Sequence, residues 1–216
     1  FEVFPGETLG LVGESGCGKT TIGKTILKLL SSQNGEIFYR NENINFLKGK
    51  KLQAFRSSVQ VVFQDPFSSL NPRQTVQDMI SEVLQVHRPE LKSRQRIERI
   101  SELLKNVGLL ESDMQKYPHQ FSGGQRQRIS IARSLATEPE FLVLDESVSA
   151  LDVSVQAQVL NLLNDLKNDY GLSYLFISHD LSVVRYMSDR MIVMRSGKIE
   201  ETGDPEKIFR HAENPY

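Results

Sequence analysis

The stretch GESGCGKT, from Gly13 to Thr20, decides the fold of this chain. The apolar run ETLGLVG precedes it, and KTTIGKTILKLL follows it with apolar residues at helical spacing. Strand, glycine loop and helix in this order are the context that the phosphate-binding pattern G-x-x-x-x-G-K-[ST] requires. Because the match is complete, we predict a nucleotide-binding α/β protein rather than a chance glycine turn.

Each residue type in this loop has a chemical reason. Gly13, Gly16 and Gly18 let the backbone curl so that successive N–H groups point at phosphate oxygens, and the following helix adds its positive end. Lys19 supplies a charge for the outer phosphates, and the Thr20 hydroxyl is placed to bind Mg²⁺. We interpret Cys17 as a small residue that fits the loop, not as a redox group. The further predicted nucleotide contacts in the loop are Ser15, Cys17 and Thr21.

Strand and helix patterns alternate along most of the chain. GEIFYR, VQVVF, FLVLDE and SYLFIS are typical of strands, and RMIVMRSGKIEETG predicts a hairpin that turns at Ser196-Gly197. We therefore predict a mostly parallel sheet of the P-loop NTPase type, with a short antiparallel β portion.

Only helical patterns occur between the strand patterns VQVVF and FLVLDE. RIERISELLKNVGL is amphipathic, and one face carries Ile97, Ile100, Leu103, Leu104 and Val107. We therefore predict an inserted all-α subdomain, residues 65–136, in a nucleotide-binding core formed by residues 1–64 and 137–216.

The end of FLVLDE carries two acidic residues. Asp145 stands where nucleotidases with this phosphate loop hold Mg²⁺ through water, and Glu146 is placed to polarise the attacking water. An acidic pair at a strand end also commonly caps the next loop, but a complete phosphate loop in the same chain favours catalysis.

Two other polar residues end predicted strands. Gln64 could offer its carbonyl oxygen to Mg²⁺ or orient water, and His179 could contact the outer phosphate, although a single histidine is often structural. Ligands of parallel sheets bind at the carboxyl ends of the strands, so we expect these residues to converge there.

A second helix start occurs at FSGGQRQRISIARSLA, from Phe121 to Ala136. Ser122 is a typical N-cap, and Gly123 and Gly124 open a helix whose positive end suits an anion. The alternative is a capped helix without any ligand.

Composition excludes several classes of function. The 216 residues include 26 Lys and Arg and 27 Asp and Glu, a net charge of −1, so nothing points to nucleic acid. Because Cys17 is the single cysteine, the chain cannot form an internal disulfide, and this composition fits a reducing compartment. No apolar run approaches the roughly 18 residues of a membrane span, and no signal-peptide pattern is present. Because the chain begins at Phe1 and stops at ENPY, we expect a piece of a longer polypeptide.

Together these residues resemble the nucleotide-binding subunit of ABC transporters. GESGCGKT is similar to the Walker A loop, FLVLDE to Walker B with its catalytic glutamate, and VVFQDP to the Q-loop. FSGGQ is similar to the LSGGQ signature, SALD to the D-loop and ISHD to the switch histidine. All six occur in the family's order. QDPFSSLNPR, YPHQFSGGQRQRISIARSLA and ENPY further resemble the oligopeptide, dipeptide and nickel importer branch.

The resemblance implies an ATPase that uses ATP and Mg²⁺ and works as a homo- or heterodimer of nucleotide-binding domains. Each ATP would lie between the Walker A loop of one subunit and the signature of the other. Lys19, Glu146 and His179 would act in catalysis, and Thr20, Gln64 and Asp145 at the metal. Contacts to the ATP of the partner subunit would come from Ser122, Gly123, Gly124 and Gln125.

The resemblance also implies partners and a location. We expect import of peptides or a related small solute through transmembrane permease subunits, which would dock near DPFSSLNP. A solute-binding protein would act indirectly, and no nucleic acid is expected. The chain would then lie peripherally on the cytoplasmic face of the cell membrane.

Two departures from the family pattern stand out. Ser147 and Val148 replace the usual Pro-Thr after the catalytic glutamate, which frees the backbone there. Phe1 and Phe4 are too close to the loop to match the aromatic residue that stacks on adenine, so we expect them in the strand that leads into it and the adenine contact outside this chain.

Two alternatives remain open at this point. A non-transport ABC ATPase of translation or DNA repair shares these motifs, although the short separation of Gln64 and Ser122 leaves no room for a repair-type coiled coil. A module that binds nucleotide without hydrolysis would be expected to lack Lys19 or Glu146, and both are present.

Overall fold

The computed structural model describes residues 1–32, 34–65 and 69–210, and its strands form one large and one small sheet within these ranges. The strands are β1 (Thr8–Gly13), β2 (Phe38–Tyr39), β3 (Glu42–Asn43), β4 (Val59–Val62), β5 (Phe141–Asp145), β6 (Ser173–Ser178), β7 (Arg190–Arg195) and β8 (Lys198–Gly203). The large sheet has the order β4-β5-β6-β1-β7-β8. β1 pairs in parallel with β6 and β7, β5 pairs in parallel with β6, and β8 is antiparallel to β7.

Helices alternate with these strands along the chain. They are α1 (Lys19–Ile26), α2 (Gly49–Ser58), α3 (Val76–His87), α4 (Ser93–Asn106), α5 (Gly123–Leu135), α6 (Val153–Tyr170), α7 (Leu181–Met187) and α8 (Pro205–Arg210). The predicted class, α/β with a mostly parallel sheet and a short antiparallel portion, is confirmed. None of the helices within the described ranges combines the length and the apolar character that a membrane crossing requires.

The described chain divides into two compact units. The sheet unit comprises Phe1–Val61, Glu140–Glu146 and the chain from Leu172 onward, and the helical unit comprises Val62–Pro139 and Ser147–Gly171. The predicted helical subdomain, residues 65–136, falls within the helical unit, which also includes α6. This helix groups there because it contacts α5.

Apolar strand residues form the core of the sheet unit. β6 is buried along its whole length, as expected for a parallel strand covered on both faces. The core cluster comprises Leu9, Leu11, Cys17, Leu27, Ile44, Leu47, Phe55, Val59, Val143, Leu175, Ile177, Ile192 and Met194.

The helical unit is organised by helix pairs that contact one another, α3 with α4 and both with α5. The Thr75 side chain accepts a hydrogen bond from the amide of Asp78, whose carboxylate accepts one from the Thr75 amide, and this capping box starts α3. On α4, Ile100 and Leu104 are fully buried. Ile97, predicted on the same apolar face, is 42% exposed, because it lies one turn before the part of α4 that packs.

The predicted hairpin turn at Ser196-Gly197 is confirmed, and both residues have positive φ, +47° and +80°, which suits a tight turn between antiparallel strands. The prediction that Phe1 and Phe4 belong to the first strand is wrong, because β1 begins only at Thr8. Both rings are about half exposed, and Phe4 lies under the Arg190 guanidinium at 5.2 Å.

Ile97 and Ile100 provide a matched test of α4. We expect Ile100→Ala to lower the free energy of unfolding by about 2–5 kcal/mol, since it deletes a fully buried side chain. Ile97→Ala should cost under about 1 kcal/mol, because much of that side chain is already in water. Urea denaturation of both variants measures the difference, and equal losses would contradict the described packing of α4.

Candidate functional site

The phosphate loop of the sheet unit joins β1 to α1, and its glycines have specific tasks. Gly16 and Gly18 have φ of +82° and +108°, which side chains rarely allow. A Cβ on Gly13 would lie 2.2 Å from the Met194 carbonyl oxygen of β7. The loop can therefore take this path only with glycine at these positions.

The Lys19 ammonium lies against the loop that precedes it. Its Nζ donates to the carbonyl oxygens of Gly13 at 2.7 Å and Glu14 at 2.9 Å, and the side chain is buried. Nζ is also 3.8 Å from the Cys17 sulfur. The charge is thus already held at the centre of the loop.

The β7–β8 turn supports this loop in a way that the sequence patterns did not reveal. The Gly197 amide donates to the Cys17 carbonyl oxygen at 3.0 Å, and β7 packs against Gly13 through Met194. These residues are about 180 positions apart, and no local pattern marks such a contact. Cys17 is buried where the β7–β8 turn contacts the loop, which agrees with its interpretation as a residue that fits the loop.

α1 begins without a side-chain cap. Gly18 is its N-cap residue and makes no side-chain hydrogen bond, and the first turn carries no acidic residue. The first amides of a helix need partners from outside the helix, so those of α1 favour an anion.

The Thr20 hydroxyl and the Asp145 carboxylate meet across the sheet unit. Thr20 Oγ1 donates to Asp145 Oδ1 at 3.1 Å, which links the first turn of α1 to the end of β5. Burial raises the pKa of Asp145, the Thr20 hydrogen bond opposes this shift, and the nearby Glu146 charge adds to it. A carboxylate in such surroundings gains from a cation.

Glu146 and His179 form a second contact at the ends of adjacent strands. His179 Nδ1 lies 3.3 Å from Glu146 Oε1, an ion pair when the imidazole is protonated. Glu146 has φ of +49°, which costs a non-glycine residue about 1–2 kcal/mol. Its amide donates to the Ile177 carbonyl oxygen at 2.9 Å, which helps to hold this conformation.

His179 itself lies between two structural residues. The Asp180 amide donates to Ser178 Oγ at 3.0 Å, and Asp180 Oδ1 accepts from the amides of Ser182 and Val183 to cap α7. Because its neighbours fix the backbone on both sides, the half-exposed imidazole is presented next to Glu146.

The remaining predicted site residues lie in the helical unit. Gln64 is exposed and lies two residues after the end of β4 at Val62. At the start of α5, Ser122 Oγ accepts from the Gln125 amide at 3.3 Å, and Gln125 Oε1 accepts from the Ser122 amide at 3.0 Å. The two side chains predicted to contact ATP thus form a capping box with each other.

Gly123 and Gly124 differ in their surroundings. A Cβ on Gly124 would lie 2.2 Å from Val155 Cγ1 of α6, whereas one on Gly123 would meet Leu151 at 3.6 Å, an ordinary contact. Gly124 is therefore required for the packing of α5 on α6. Gly123 has no such structural requirement.

The two residues that depart from the family pattern, at positions 147 and 148, are buried. Ser147 and Val148 are each 2% exposed, and within the described part of the chain the Ser147 hydroxyl has no hydrogen-bond partner. Val148 contributes its carbonyl oxygen to the Leu151 amide at 3.2 Å. Neither side chain at these two positions is therefore available at the surface.

Sequence comparison agrees with this geometry. Residues 1–149 match the model of the ABC transporter family. The oligopeptide transport ATP-binding protein OppF of Bacillus subtilis is 51% identical over 217 residues, 100% of this chain and 71% of that protein. OppF of Streptococcus mutans is 53% identical over 216 residues, 100% of this chain and 70% of that protein. The glutathione import ATP-binding protein GsiA of Escherichia coli O157:H7 is 51% identical, and the chain spans 34% of its length.

Solved structures give the same result. The structure of cbiO1 from Clostridium perfringens, part of the ABC transporter complex cbiONQ, matches 99% of this chain and 83% of that one, with a TM-score of 0.87 and 28% identity. A dimeric ATP-binding cassette in a post-hydrolysis state bound to ADP and phosphate has a TM-score of 0.81 at 29% identity, over 95% of this chain and 88% of that one.

The chain therefore belongs to the ABC transporter family, whose ATP-binding subunits are ATPases coupled to transport. The family predicted from the six motifs is confirmed, and the relatives described here are named for transport rather than for translation or DNA repair.

The two signature glycines give a test of packing. We expect Gly124→Ala to lower the free energy of unfolding by about 1–3 kcal/mol, because its methyl group overlaps Val155. Gly123→Ala should change it by no more than about 0.5 kcal/mol. Thermal unfolding measures both, and Val155→Ala should relieve the Gly124→Ala loss. If the two glycine variants were equally stable, α5 and α6 would not be packed as described.

Asp145 gives a pH-dependent stability. The pKa of Asp145 is raised in the folded protein, whereas an Asp in the unfolded chain has a pKa of about 3.9. Between these two pKa values the folded protein holds the proton more tightly, so the contribution of Asp145 to the free energy of unfolding falls as the pH rises. Asp145→Asn removes the contribution. We therefore expect the stability of Asp145→Asn relative to the unsubstituted protein to increase with pH in metal-free urea titrations. A pH-independent difference would contradict the raised pKa.

Proposed function

We propose that this chain is the ATP-hydrolysing subunit of an ABC importer for peptides or a related small solute. The observation that carries the proposal is the assembly beside one phosphate loop of the Thr20–Asp145 and Glu146–His179 contacts. The family supports hydrolysis as the activity, and the relatives' names support import. The role of each residue below is part of the proposal.

Nucleotide binding is assigned to the loop and to α1. The uncapped amides at the start of α1 and the amides of residues Gly13 to Thr21 would bind the phosphates. Lys19 would exchange its two carbonyl acceptors for phosphate oxygens, which gives its charge a negative partner instead of a neutral one.

The donor set at Thr20 and Asp145 fits Mg²⁺. A hydroxyl and a carboxylate are hard oxygen ligands, and Mg²⁺ is usually held by one or two protein oxygens together with substrate phosphates and water. No group of three or more His, Cys, Asp or Glu that could hold a metal occurs in the described ranges, which agrees with so sparse a site. Gln64 would add its carbonyl oxygen. Bound there, Mg²⁺ would neutralise charge on the outer phosphates.

Glu146 is assigned to the attacking water. Its carboxylate would accept a hydrogen bond from that water and orient it toward the outer phosphate. His179 would hold the carboxylate through Nδ1 and present its other ring nitrogen to the outer phosphate. The strained backbone at Glu146 is consistent with a residue kept in one orientation for this task.

The start of α5 is assigned to the ATP of a second subunit. Ser122, Gly123, Gly124 and Gln125 would contact the outer phosphate held by the partner's loop, so each site would be completed only in a homo- or heterodimer. The dimeric cassette that matches this chain supports such a pairing. Because Gly123 is not needed for packing, its close approach to a ligand is the remaining reason for a glycine there.

Transmembrane permease subunits are the proposed transport partners, with a solute-binding protein acting indirectly. Part of the predicted docking segment DPFSSLNP, residues 66–68, lies outside the described residues. Beside it the helical unit has a groove of about 450 Å³. The groove is lined by Ser69, Asn71, Gln74, Met79, Glu82, Val83, Val86, His87 and Arg133. Val86 is 55% exposed, so the groove offers apolar surface to a partner helix, and docking would hold the chain peripherally at the membrane.

Glu146→Gln tests this proposal. The amide keeps the shape of the carboxylate but cannot take a proton, so hydrolysis should fall at least about 100-fold. We expect the full-length variant to bind MgATP and to accumulate as a dimer, which sedimentation velocity measures.

Lys19→Ala in the Glu146→Gln background is the matched control. It should bind no nucleotide and remain monomeric at the same MgATP concentration, because the phosphates lose their charge partner. A Glu146→Gln protein that stays monomeric with saturating MgATP would remove the dimer from the proposal.

A further inference from the structure

An exposed aromatic stack lies directly before α5. The rings of Tyr117 and His119 are nearly parallel, with an interplanar angle of 13° and centroids 5.8 Å apart. Tyr117 is 40% exposed, and His119 is also exposed. Stacked flat rings at the surface present a π face to a ligand without the cost of ordering flexible side chains.

Local hydrogen bonds fix this pair to the start of α5. The Tyr117 amide donates a hydrogen bond to Gln120 Oε1 at 2.8 Å, and the Gln120 amide donates one to the Tyr117 carbonyl oxygen at 3.0 Å. From within α5, Arg126 Nε donates to the Pro118 carbonyl oxygen at 2.7 Å. The backbone that carries the two rings is therefore tied to the start of α5.

The stack does not serve the core. Phe121, two residues after His119, is 4% exposed, and the Lys116 ammonium lies 5.8 Å from the centroid of its ring. Pro118, between the two stacked residues, is buried as well. Pro118 and Phe121 therefore anchor the segment, while the two stacked rings remain at the surface.

We propose that the Tyr117–His119 pair contacts the base of the nucleotide held by the phosphate loop of the partner subunit. The inference rests on the proposed dimer, in which Ser122 contacts the outer phosphate of that nucleotide. Three to five residues of chain span at most about 10–18 Å, which lets the pair lie toward the base end of the same nucleotide. Stacking of a base on an aromatic ring is the chemistry that such a surface offers.

The occupant is a base rather than a protein side chain for two reasons. The two rings lie five and three residues before Ser122, so a ligand that reaches Ser122 binds close to them along the chain. In the sheet unit, the Phe4 ring precedes the phosphate loop in sequence, and one of its faces is already occupied by the Arg190 guanidinium, 5.2 Å from the ring centroid.

The test uses the full-length Glu146→Gln protein and the ATP dependence of its dimerisation. Tyr117→Ala and His119→Ala should each raise the ATP concentration for half-maximal dimerisation about tenfold, as loss of one base–aromatic contact does. Tyr117→Phe and His119→Phe keep a flat ring and should remain within about twofold of the parent protein. Tyr186→Ala is the matched control, since Tyr186 is 58% exposed on α7 of the sheet unit.

Two further measurements separate a contact across the dimer from other effects. ATP binding to the monomer, at protein concentrations below those of dimerisation, should be unchanged in Tyr117→Ala and His119→Ala. A preference of the parent for ATP over CTP in dimerisation should shrink in both variants, because a pyrimidine offers a smaller face for stacking.

The outcomes are distinct. If Glu146→Gln dimerises with ATP while the alanine variants dimerise equally well, the stack proposal is overturned and the dimer proposal stands. If ATP binding to the monomer weakens instead, the contact lies within one subunit and the proposal is also overturned. If Glu146→Gln itself stays monomeric, both proposals fail.

Discussion

Parallel hydrogen bonding between β5, β6 and β1 sets the level at which three loops leave the sheet. Asp145 is in register with Ile177, and Val12 is in register with Ser178, so the next residues of all three strands emerge at one edge. Thr20, Glu146 and His179 meet their partners because of this register. A shift of one residue in any of the three strands would turn its side chains to the opposite face and separate the contacts.

Much of this arrangement could be predicted, because it is written in local patterns. A glycine loop between a strand and a helix, and apolar runs that end in acids or histidine, predicted the α/β class and the ends at which Asp145, Glu146 and His179 lie. The misplaced residues depended on tertiary contacts. Ile97 fits the helical spacing of apolar residues but lies before the packed part of α4. Phe4 contacts the Arg190 guanidinium instead of pairing in a strand. The support of Cys17 by Gly197 joins distant parts of the chain, and no local pattern predicts it.

The two helix starts that are predicted to contact phosphate differ in the hydrogen bonds of their first amides. α1 has a glycine N-cap without a side-chain hydrogen bond, so its first amides depend on a ligand or on water. α5 satisfies one of its orphan amides through Ser122, while Gln125 returns the bond. The sequence predicted Ser122 as a cap and also as an ATP contact, and in the described state the hydroxyl serves the cap.

The capping box at α5 has a consequence for how two such subunits would come apart. A helix start that is stabilised by its own side chains does not lose a hydrogen bond at that amide when an outer phosphate leaves it. In the proposed dimer, loss of the charge that joins the subunits would then leave the Ser122 and Gln125 amides still hydrogen-bonded. At these two amides the separated subunit would therefore lose no hydrogen bond, and nucleotide binding would be required to bring the pair together rather than to release it.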